Sequence, residues 1–182
     1  MRILGIDTSG KVAAAALYDS ESRCLLAQQM VYTKRTHSQV ILPLAERLLA
    51  DTGLNWQDVD GFAAAKGPGS YTGLRIGISA AKGLAWAREL PCIGVSTLEA
   101  MAQNLAHLEN TVLVCAMDAR RSQVYNALFL AAGEGLQRLT PDRAIGLDQL
   151  GEELKKVEKE KIVVGDGARL CYNTLTEQGI TL

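Results

Sequence analysis

The chain has 182 residues, enough for one large domain or two small ones, and its 48% of apolar residues can fill a sizeable core. Its 19 Lys and Arg residues balance 20 Asp and Glu residues, which leaves a formal net charge of -1 at pH 7. A protein that binds tRNA by itself usually shows a basic excess or a basic stripe, because phosphate contacts dominate that affinity. Neither is visible, so the composition disfavours an independent RNA-binding module.

The cysteine pattern and the lack of a long apolar run indicate a cytoplasmic protein. Cys24, Cys92, Cys115 and Cys171 lie at irregular gaps without a C-x-x-C pair, which predicts neither a zinc site nor a disulfide framework. We interpret them as small buried hydrophobic residues, and free thiols fit a reducing compartment. Asp7 follows the start too closely for a signal peptide. No uncharged apolar run approaches the ~20 residues of a membrane span, so no membrane contact is expected.

Apolar runs, turn residues and caps predict alternating elements along the chain. In chain order these are strands Arg2–Asp7, Val12–Leu17 and Cys24–Tyr32, helix Thr36–Ala50, strand Gly61–Ala65, helix Gly73–Arg88, strand Pro91–Val95, helix Thr97–His107, strands Thr111–Met117 and Gln123–Leu130, helix Leu147–Val157 and strand Ile162–Val164. Three strands, then alternating helices and strands, then a partial repeat predict mixed sheets covered by helices. We expect a further helix after the last strand.

Two polar turns are candidates for phosphate binding. Gly67–Gly73 is a Gly-rich turn that feeds a helix N-terminus, where exposed N–H groups can hold a phosphate. It matches neither the Walker pattern nor the Rossmann pattern, so a simple strand-to-helix turn is the favoured interpretation. Asp7, Thr8 and Ser9 end the first strand, where an acid beside hydroxyls can hold Mg-phosphate in actin-like folds. The alternative for these three residues is an ordinary turn, and both interpretations stay open.

The two longest helices carry more apolar or small residues than one core-facing stripe requires. The apolar residues of the first spread over roughly 200° of the helical wheel, whereas a surface helix needs a stripe of about 100°. On the second, Gly73, Gly77, Ala81 and Ala85 recur at every fourth position and would let another helix approach closely. This row can pack inside the chain's own core or against a partner. We favour the partner, because both excesses occur on neighbouring helices.

Four segments, in the family's order, resemble the bacterial TsaB family of tRNA threonylcarbamoyladenosine biosynthesis proteins, also called YeaZ. They are Leu4–Ser9, Gly67–Gly77, Gly94–Leu98 and Asp118–Arg120, and the match is strong over about residues 1–130. The resemblance implies an α/β protein of actin-like, ribonuclease-H-like (ASKHA) fold, with mixed sheets flanked by helices and two related subdomains. We place the subdomains at residues 1–103 and 104–182, the second shortened or incomplete.

The resemblance also implies a function. It points to threonylcarbamoyl transfer to N6 of the adenosine adjacent to the anticodon, in tRNAs that read codons starting with A. The family acts with a catalytic paralogue, TsaD, and an ATPase, TsaE. The chain is then a non-catalytic subunit that activates TsaD, forms a homodimer when alone, and meets tRNA only through the complex. No cofactor is expected on this chain alone, whereas ATP or ADP and a metal are implied for the partner complex.

The chain departs from the catalytic paralogue at the metal site. There, a His-x-x-x-His pair follows the strand that corresponds to Pro91–Val95, and here Thr97 and Met101 stand at the two positions. A hydroxyl and a soft thioether suit that metal poorly. His37 and His107 are far apart in sequence, and we expect cap or surface roles for both. The sequence therefore predicts an active site of this fold that lacks its ligands.

The family precedent places the helices Thr36–Ala50 and Gly73–Arg88 at the subunit interface. The residues expected there are Val40, Leu44, Arg47, Leu48, Gly73, Gly77, Ala81 and Leu84. Asp7, Thr8 and Ser9 are interpreted as a vestigial nucleotide-binding loop. The alternative function is an actin-like-fold enzyme acting alone, either a small-molecule kinase or a peptidase. Such a kinase needs an acid as base, and nothing in the sequence selects between Asp118 and Asp166.

Overall fold

The computed structural model describes residues 1–32, 34–133 and 135–181. The chain divides into two compact units, Met1–Val95 and Ser96–Leu182. The sequence places this boundary after residue 103. The difference is the helix α3 (Thr97–Gln103), which packs on strands of the second unit because its apolar side chains Leu98 and Ala102 are buried there.

The first unit contains one five-stranded sheet with both long helices packed on it. Its elements are β1 (Arg2–Asp7), β2 (Val12–Asp19), β3 (Cys24–Tyr32), α1 (His37–Asp51), a short 3-10 helix (Trp56–Asp58), β4 (Gly61–Gly67), α2 (Tyr71–Ala87) and β5 (Cys92–Ser96). The strand order is β3-β2-β1-β4-β5, with β1 antiparallel to β2 and parallel to β4. Alternate residues of β1 and β2 are buried against the helices, which is the period-2 pattern of a half-buried sheet.

The second unit repeats this topology. Its remaining elements are β6 (Glu109–Arg120), β7 (Gln123–Ala132), β8 (Leu136–Arg138), β9 (Arg143–Gly146), α4 (Leu147–Leu154), β10 (Lys161–Val164) and α5 (Ala168–Glu177). The order is β10-β6-β7-β8, and β9 also pairs with β7. The strand β6 is antiparallel to β7 and parallel to β10, as β1 is to β2 and β4. The α/β class with two related, mixed-sheet halves is therefore confirmed.

Several boundaries differ from those expected. The short strands β8 and β9 are absent from the sequence-based expectation, because three or four residues carry too little periodicity. The helix expected after the last strand is present as α5. The helix α2 begins two residues before the expected Gly73, because Ser70 caps it. No helix in the described part of the chain is long and apolar enough to cross a membrane.

Candidate functional site

The predicted nucleotide loop at the end of β1 forms hydrogen bonds to the first residues of α2. Thr8 and Ser9 are 1% and 3% exposed. The hydroxyl of Thr8 donates to the carbonyl of Gly73 at 2.7 Å, and the carbonyl of Ser9 accepts from Ser70 N at 2.7 Å. Asp7 Oδ1 accepts from Ser9 N at 2.7 Å. These bonds favour the turn interpretation of Asp7, Thr8 and Ser9, because the Thr8 hydroxyl, one carboxylate oxygen of Asp7 and the backbone of Ser9 already have partners inside the chain.

The glycines of the Gly-rich turn permit this close approach. A Cβ at Gly69 would lie 2.6 Å from the carbonyl oxygen of Ser9, and a Cβ at Gly73 would overlap the carbonyl oxygen of Thr8. Real side chains do not tolerate such distances, so glycine is required where the turn passes the end of β1. The turn thus allows the start of α2 to pack closely against the end of β1. This agrees with its interpretation as a simple strand-to-helix turn.

The small-residue row of α2 packs inside its own unit, which corrects the expected interface. A Cβ at Gly77 would overlap the hydroxyl of Thr8 and lie 3.5 Å from Ile6 Cγ2. Gly73, Gly77, Ala81 and Leu48 are all buried in the first unit. The physical reason is that Gly73 and Gly77 lie against Thr8 and Ile6 of the same chain. Ala81, and Leu48 of α1, are buried in the same core, so these four residues are not free to receive a helix from another chain.

A different face of α2 is exposed. It is formed by residues that recur at spacings of three or four, Tyr71, Arg75, Ser79, Lys82 and Trp86. The side chains of Tyr71 and Trp86 are 75% and 86% exposed, and the Arg75 guanidinium lies 5.4 Å from the centre of the Tyr71 ring. We call this set the outer face of α2. The sequence does not predict this face, because the spacing of the small residues shows one face of α2 but not which aromatic side chains are exposed.

The other half of the expected interface is partly accessible. On α1 the side chain of Arg47 is 78% exposed, Val40 is half-buried and Leu44 is buried. Leu84 of α2 is half-buried. Val40, Leu44 and Arg47 line a cleft of about 380 Å³ beside β3. Of the eight residues expected at the interface, Val40, Arg47 and Leu84 stay compatible with a partner surface, whereas Leu44 is buried as Leu48 is.

The positions expected to replace metal ligands are the first and the fifth residue of α3, and they hold no donor suited to the metal of the paralogue. Thr97 is the first residue of α3, and its hydroxyl is buried without a hydrogen-bond partner among the described residues. Met101 packs against Gly165, where an added Cβ would lie 2.8 Å from the methionine sulfur. Within the described ranges, no three His, Cys, Asp or Glu side chains come close enough together to hold a metal ion.

An ion cluster that the sequence did not reveal closes the N-terminal end of α3. Ser96 Oγ accepts from Glu99 N at 3.2 Å and donates to Asp142 Oδ2 at 2.7 Å. Arg138 binds Glu99 at 2.8 Å and Asp142 at 2.7 Å, and it lies 4.6 Å from the centre of the Phe129 ring. Burial alone would lower the pKa of Arg138, but the hydrogen bonds to Asp142 and Glu99 outweigh it and raise that pKa. Arg138 is shared by both carboxylates and Ser96 adds a hydrogen bond to Asp142, so the charged groups are engaged with one another, which indicates a structural role.

Comparison with known proteins decides the family. The chain is 36% identical over 170 residues to the tRNA threonylcarbamoyladenosine biosynthesis protein TsaB of Bacillus subtilis (strain 168), covering 93% of this chain and 73% of that protein. It is 34% identical over 184 residues to TsaB of Escherichia coli (strain K12), covering 100% of this chain and 78% of that protein. The chain belongs to the TsaB family.

Two further comparisons agree with membership of the TsaB family. The structure is similar to YeaZ from Pseudomonas aeruginosa, with a TM-score of 0.70 and 29% identity, covering 79% of this chain and 67% of that one. A family model described as TsaD, tRNA N6-adenosine threonylcarbamoyltransferase, matches residues 30–173. The chain is therefore a TsaB homologue in tRNA threonylcarbamoyladenosine biosynthesis, and it also resembles the transferase over most of its length.

Three titratable residues that an enzyme of this fold could use, His37, Asp118 and Asp166, have hydrogen-bond partners within the chain. His37 Nε2 donates to the carbonyl of Gly10 at 2.9 Å, and His107 is exposed after α3. Asp118 Oδ1 accepts from Arg120 N at 2.7 Å, and Asp166 Oδ1 accepts from Asp118 N at 3.2 Å. Each carboxylate thus accepts a hydrogen bond from a backbone N–H of the second unit. Nothing in this arrangement points to a kinase base.

Proposed function

We propose that this chain is a non-catalytic subunit required for threonylcarbamoyl transfer to N6 of the adenosine adjacent to the anticodon, in tRNAs that read codons starting with A. It activates the catalytic paralogue TsaD, together with the ATPase TsaE. The observation that carries the proposal is the pair Thr97 and Met101. The paralogue holds its catalytic metal with histidines at these positions. Here a buried hydroxyl and a packed thioether occupy them, and neither suits such a metal.

The proposed surface for TsaD comprises the outer face of α2 and the accessible part of α1. Exposed aromatic side chains such as Trp86 and Tyr71 are typical anchors of protein interfaces. Val40 and Arg47 of α1 and Leu84 of α2 extend this surface. The same surface serves the homodimer when TsaD is absent. ATP or ADP, the metal and most contacts to tRNA belong to the complex, which fits the balanced charge of this chain.

Reconstitution tests the proposal. The purified chain is mixed with tRNA and the threonylcarbamoyl-adenylate donor, and modified adenosine is measured by mass spectrometry of the digested tRNA. We expect no product from the chain alone. We expect full activity only when TsaD, TsaE and this chain are all present. Modification by the chain alone at the rate of the full mixture would refute the proposal, and so would full activity of TsaD and TsaE without the chain.

A further inference from the structure

The strand β3 forms an open edge of the sheet in the first unit. It is the terminal strand in the order β3-β2-β1-β4-β5, and no strand in the described part of the chain pairs with its other side. A strand in this position leaves a row of backbone N–H and C=O groups without partners in the sheet. Only an added extended strand can pair with such a row along its length. We call this row, with the side chains of Cys24–Tyr32, the β3 edge.

The β3 edge lacks the protection that sheet edges usually have. Natural proteins keep terminal strands short or place charged residues and proline in them, because an open edge pairs with other chains. Among the described residues, the other strands at sheet edges are β5, β8, β9 and β10, which have three to five residues each. Three of these four contain an Arg or a Lys, whereas β3 has nine residues and contains neither a charged residue nor a proline. This contrast within one molecule indicates that the β3 edge is paired in the working protein.

Exposed apolar side chains lie beside the β3 edge. Met30 and Tyr32 are 66% and 78% exposed on the face of the sheet that is turned away from the core, since Val31 between them packs against the core. Leu25 is also exposed, and it pairs with the exposed Tyr18 of β2. Apolar side chains grouped in this way mark an interaction surface.

The space next to the β3 edge is open on the helix side as well. A cleft of about 410 Å³ lies between Gln29, Met30 and Val31 of β3 and Leu44 and Arg47 of α1. Recognition sites that accept an added strand commonly combine a free strand edge with pockets for alternate side chains. The β3 edge therefore offers both the backbone row and room for the side chains of a further strand.

We propose that the β3 edge pairs antiparallel with the β3 edge of a second copy of this chain, about a two-fold axis perpendicular to the sheet and centred within residues 28–30. Two-fold contacts are the commonest way in which identical chains associate. This axis keeps the core-facing sides of both sheets on one side, so Met30 and Tyr32 of the two copies join one apolar surface. The two five-stranded sheets become one continuous sheet, and both open edges disappear.

The charges around β3 favour a second copy in this orientation. Lys34 and Arg35 follow the strand, whereas Asp19 and Glu21 precede it and are offset by Arg23 and the N-terminal amine. Antiparallel pairing places each basic end beside a nearly neutral end, and parallel pairing would bring two basic ends together. Within the strand no like charges oppose each other, so identical strands do not repel. The inference goes beyond the proposed function and does not depend on it, because no residue of β3 belongs to the surface proposed for TsaD.

Sedimentation velocity from about 1 to about 100 μM tests this inference in a Trp86→Ala background. The background removes the aromatic anchor of the homodimer proposed through α2. Nine residues a side are fewer than the about 20–30 of a standard interface, so we expect a weak dimer that dissociates on dilution. A chain that stays monomeric over the whole range overturns the inference.

A matched pair of double variants locates the contact. Gln28→Lys with Met30→Lys brings four like charges together across the two-fold axis, and we expect it to weaken the dimer at least about tenfold. Tyr172→Lys with Asn173→Lys replaces an exposed apolar and an exposed amide side chain of α5 in the same way and should change the dimer little. A dimer that the first pair leaves unchanged, or that both pairs weaken equally, contradicts the β3 contact. Thermal melts confirm that both variants are folded.

Cysteine cross-linking tests the pairing directly. In a Cys24→Ser background, Gln28→Cys, Gln29→Cys and Met30→Cys are made singly, with Tyr172→Cys as an exposed control. Directly opposite residues of antiparallel strands have Cβ atoms about 4.5–5.5 Å apart, close enough for a disulfide after a small shift. We expect the position on the two-fold axis to give a covalent dimer under mild oxidation, well above the control. No cross-link above the control at any of the three positions overturns the inference, and that result leaves the reconstitution experiment unaffected.

Discussion

Glycine at position 77 shows how one residue can be interpreted in two ways. In the sequence it belongs to a row of small residues that could receive a helix from a partner. In the structure the missing side chain leaves room for the hydroxyl of Thr8, which itself donates to the carbonyl of Gly73. The glycine thus stabilises the attachment of α2 to the end of β1. Its role is in folding, and a mutation there tests folding before it tests binding.

Gly77→Ala should destabilise the chain, whereas Gly83→Ala in the same helix should stabilise it. The added Cβ at position 77 overlaps Thr8, and overpacking of this kind costs about 1–3 kcal/mol. At position 83 a Cβ meets nothing within 4 Å. Only the helix preference then acts, and it favours alanine by up to ~1 kcal/mol. Thermal melts of both variants measure the difference. A Gly77→Ala variant that melts like wild type but binds TsaD poorly would restore the interface interpretation of the row.

The four cysteines should separate by reactivity. Burial raises the pKa of Cys115 to about 12 and that of Cys171 to about 11, so almost no thiolate forms at neutral pH. Cys24 is exposed, contrary to the expectation that the cysteines are buried, and Cys92 is half-buried. We expect a maleimide to label Cys24 first in the native protein, and Cys115 and Cys171 only after unfolding. Mass spectrometry of timed digests measures the order, and rapid native labelling of Cys115 would contradict the packing described for β6.

At the scale of elements, α2 has two faces with different roles. Its small residues pack on β1, and its outer face carries the exposed aromatic residues. The sequence of α2 shows both the small residues and the aromatic residues. Only the packing of the helix on the sheet decides which of the two faces is buried. The same holds for α1, where Leu44 and Leu48 are buried and Arg47 is exposed. The partner surface proposed for TsaD is accordingly more aromatic than the sequence pattern suggests.

Trp86→Ala should separate binding from stability. The side chain is 86% exposed, so its removal should change the melting temperature little. If it anchors TsaD, the affinity should fall about tenfold or more, since loss of a central aromatic anchor costs roughly 2 kcal/mol or more. The matched control is Trp56→Ala, because Trp56 packs partly against the core and its loss should lower stability instead. Titration with TsaD measures the affinity, and normal binding of the Trp86 variant would place the partner surface elsewhere.

At the scale of the whole molecule, the two units share one plan beyond strand order. After α2, the N–H of Leu90 donates to Ala85 O at 2.9 Å, and after α5 the N–H of Ile180 donates to Leu175 O at 3.0 Å. In each case the preceding residue has a positive φ, 52° at Glu89 and 74° at Gly179. The two units therefore end their second sheet-covering helix with the same turn. The same turn also ends α1, where the N–H of Leu54 donates to Leu49 O at 3.0 Å, so the relation between the two halves is carried by their shared strand order.

The chain as a whole should hold no catalytic metal. The prediction rests on Thr97 and Met101, whose hydroxyl and thioether replace the paralogue's histidines. Elemental analysis of protein purified without chelator should find less than one zinc or iron per chain. TsaD purified in the same way is the positive control. One tightly held metal ion per chain would contradict the proposed division of roles.

The sequence by itself determined the elements and the family, because both are local properties. Caps such as Ser96, the period-2 burial of β1 and the four ordered motifs need only neighbouring residues to be recognised. Most strands and all the long helices follow from them. The sequence does not predict the short strands β8 and β9, because they form only by pairing with β7.

Only the tertiary structure decided which side chains are available. Thr8 and Gly77 are 69 positions apart in the sequence. Their close approach, which leaves no room for a Cβ at position 77, exists only because α2 packs on β1. The same packing turns Trp86 outward. Periodicity shows that a helix has an apolar or a small face but cannot show what covers it. Burial depends on contacts between distant segments, and these arise when the chain folds.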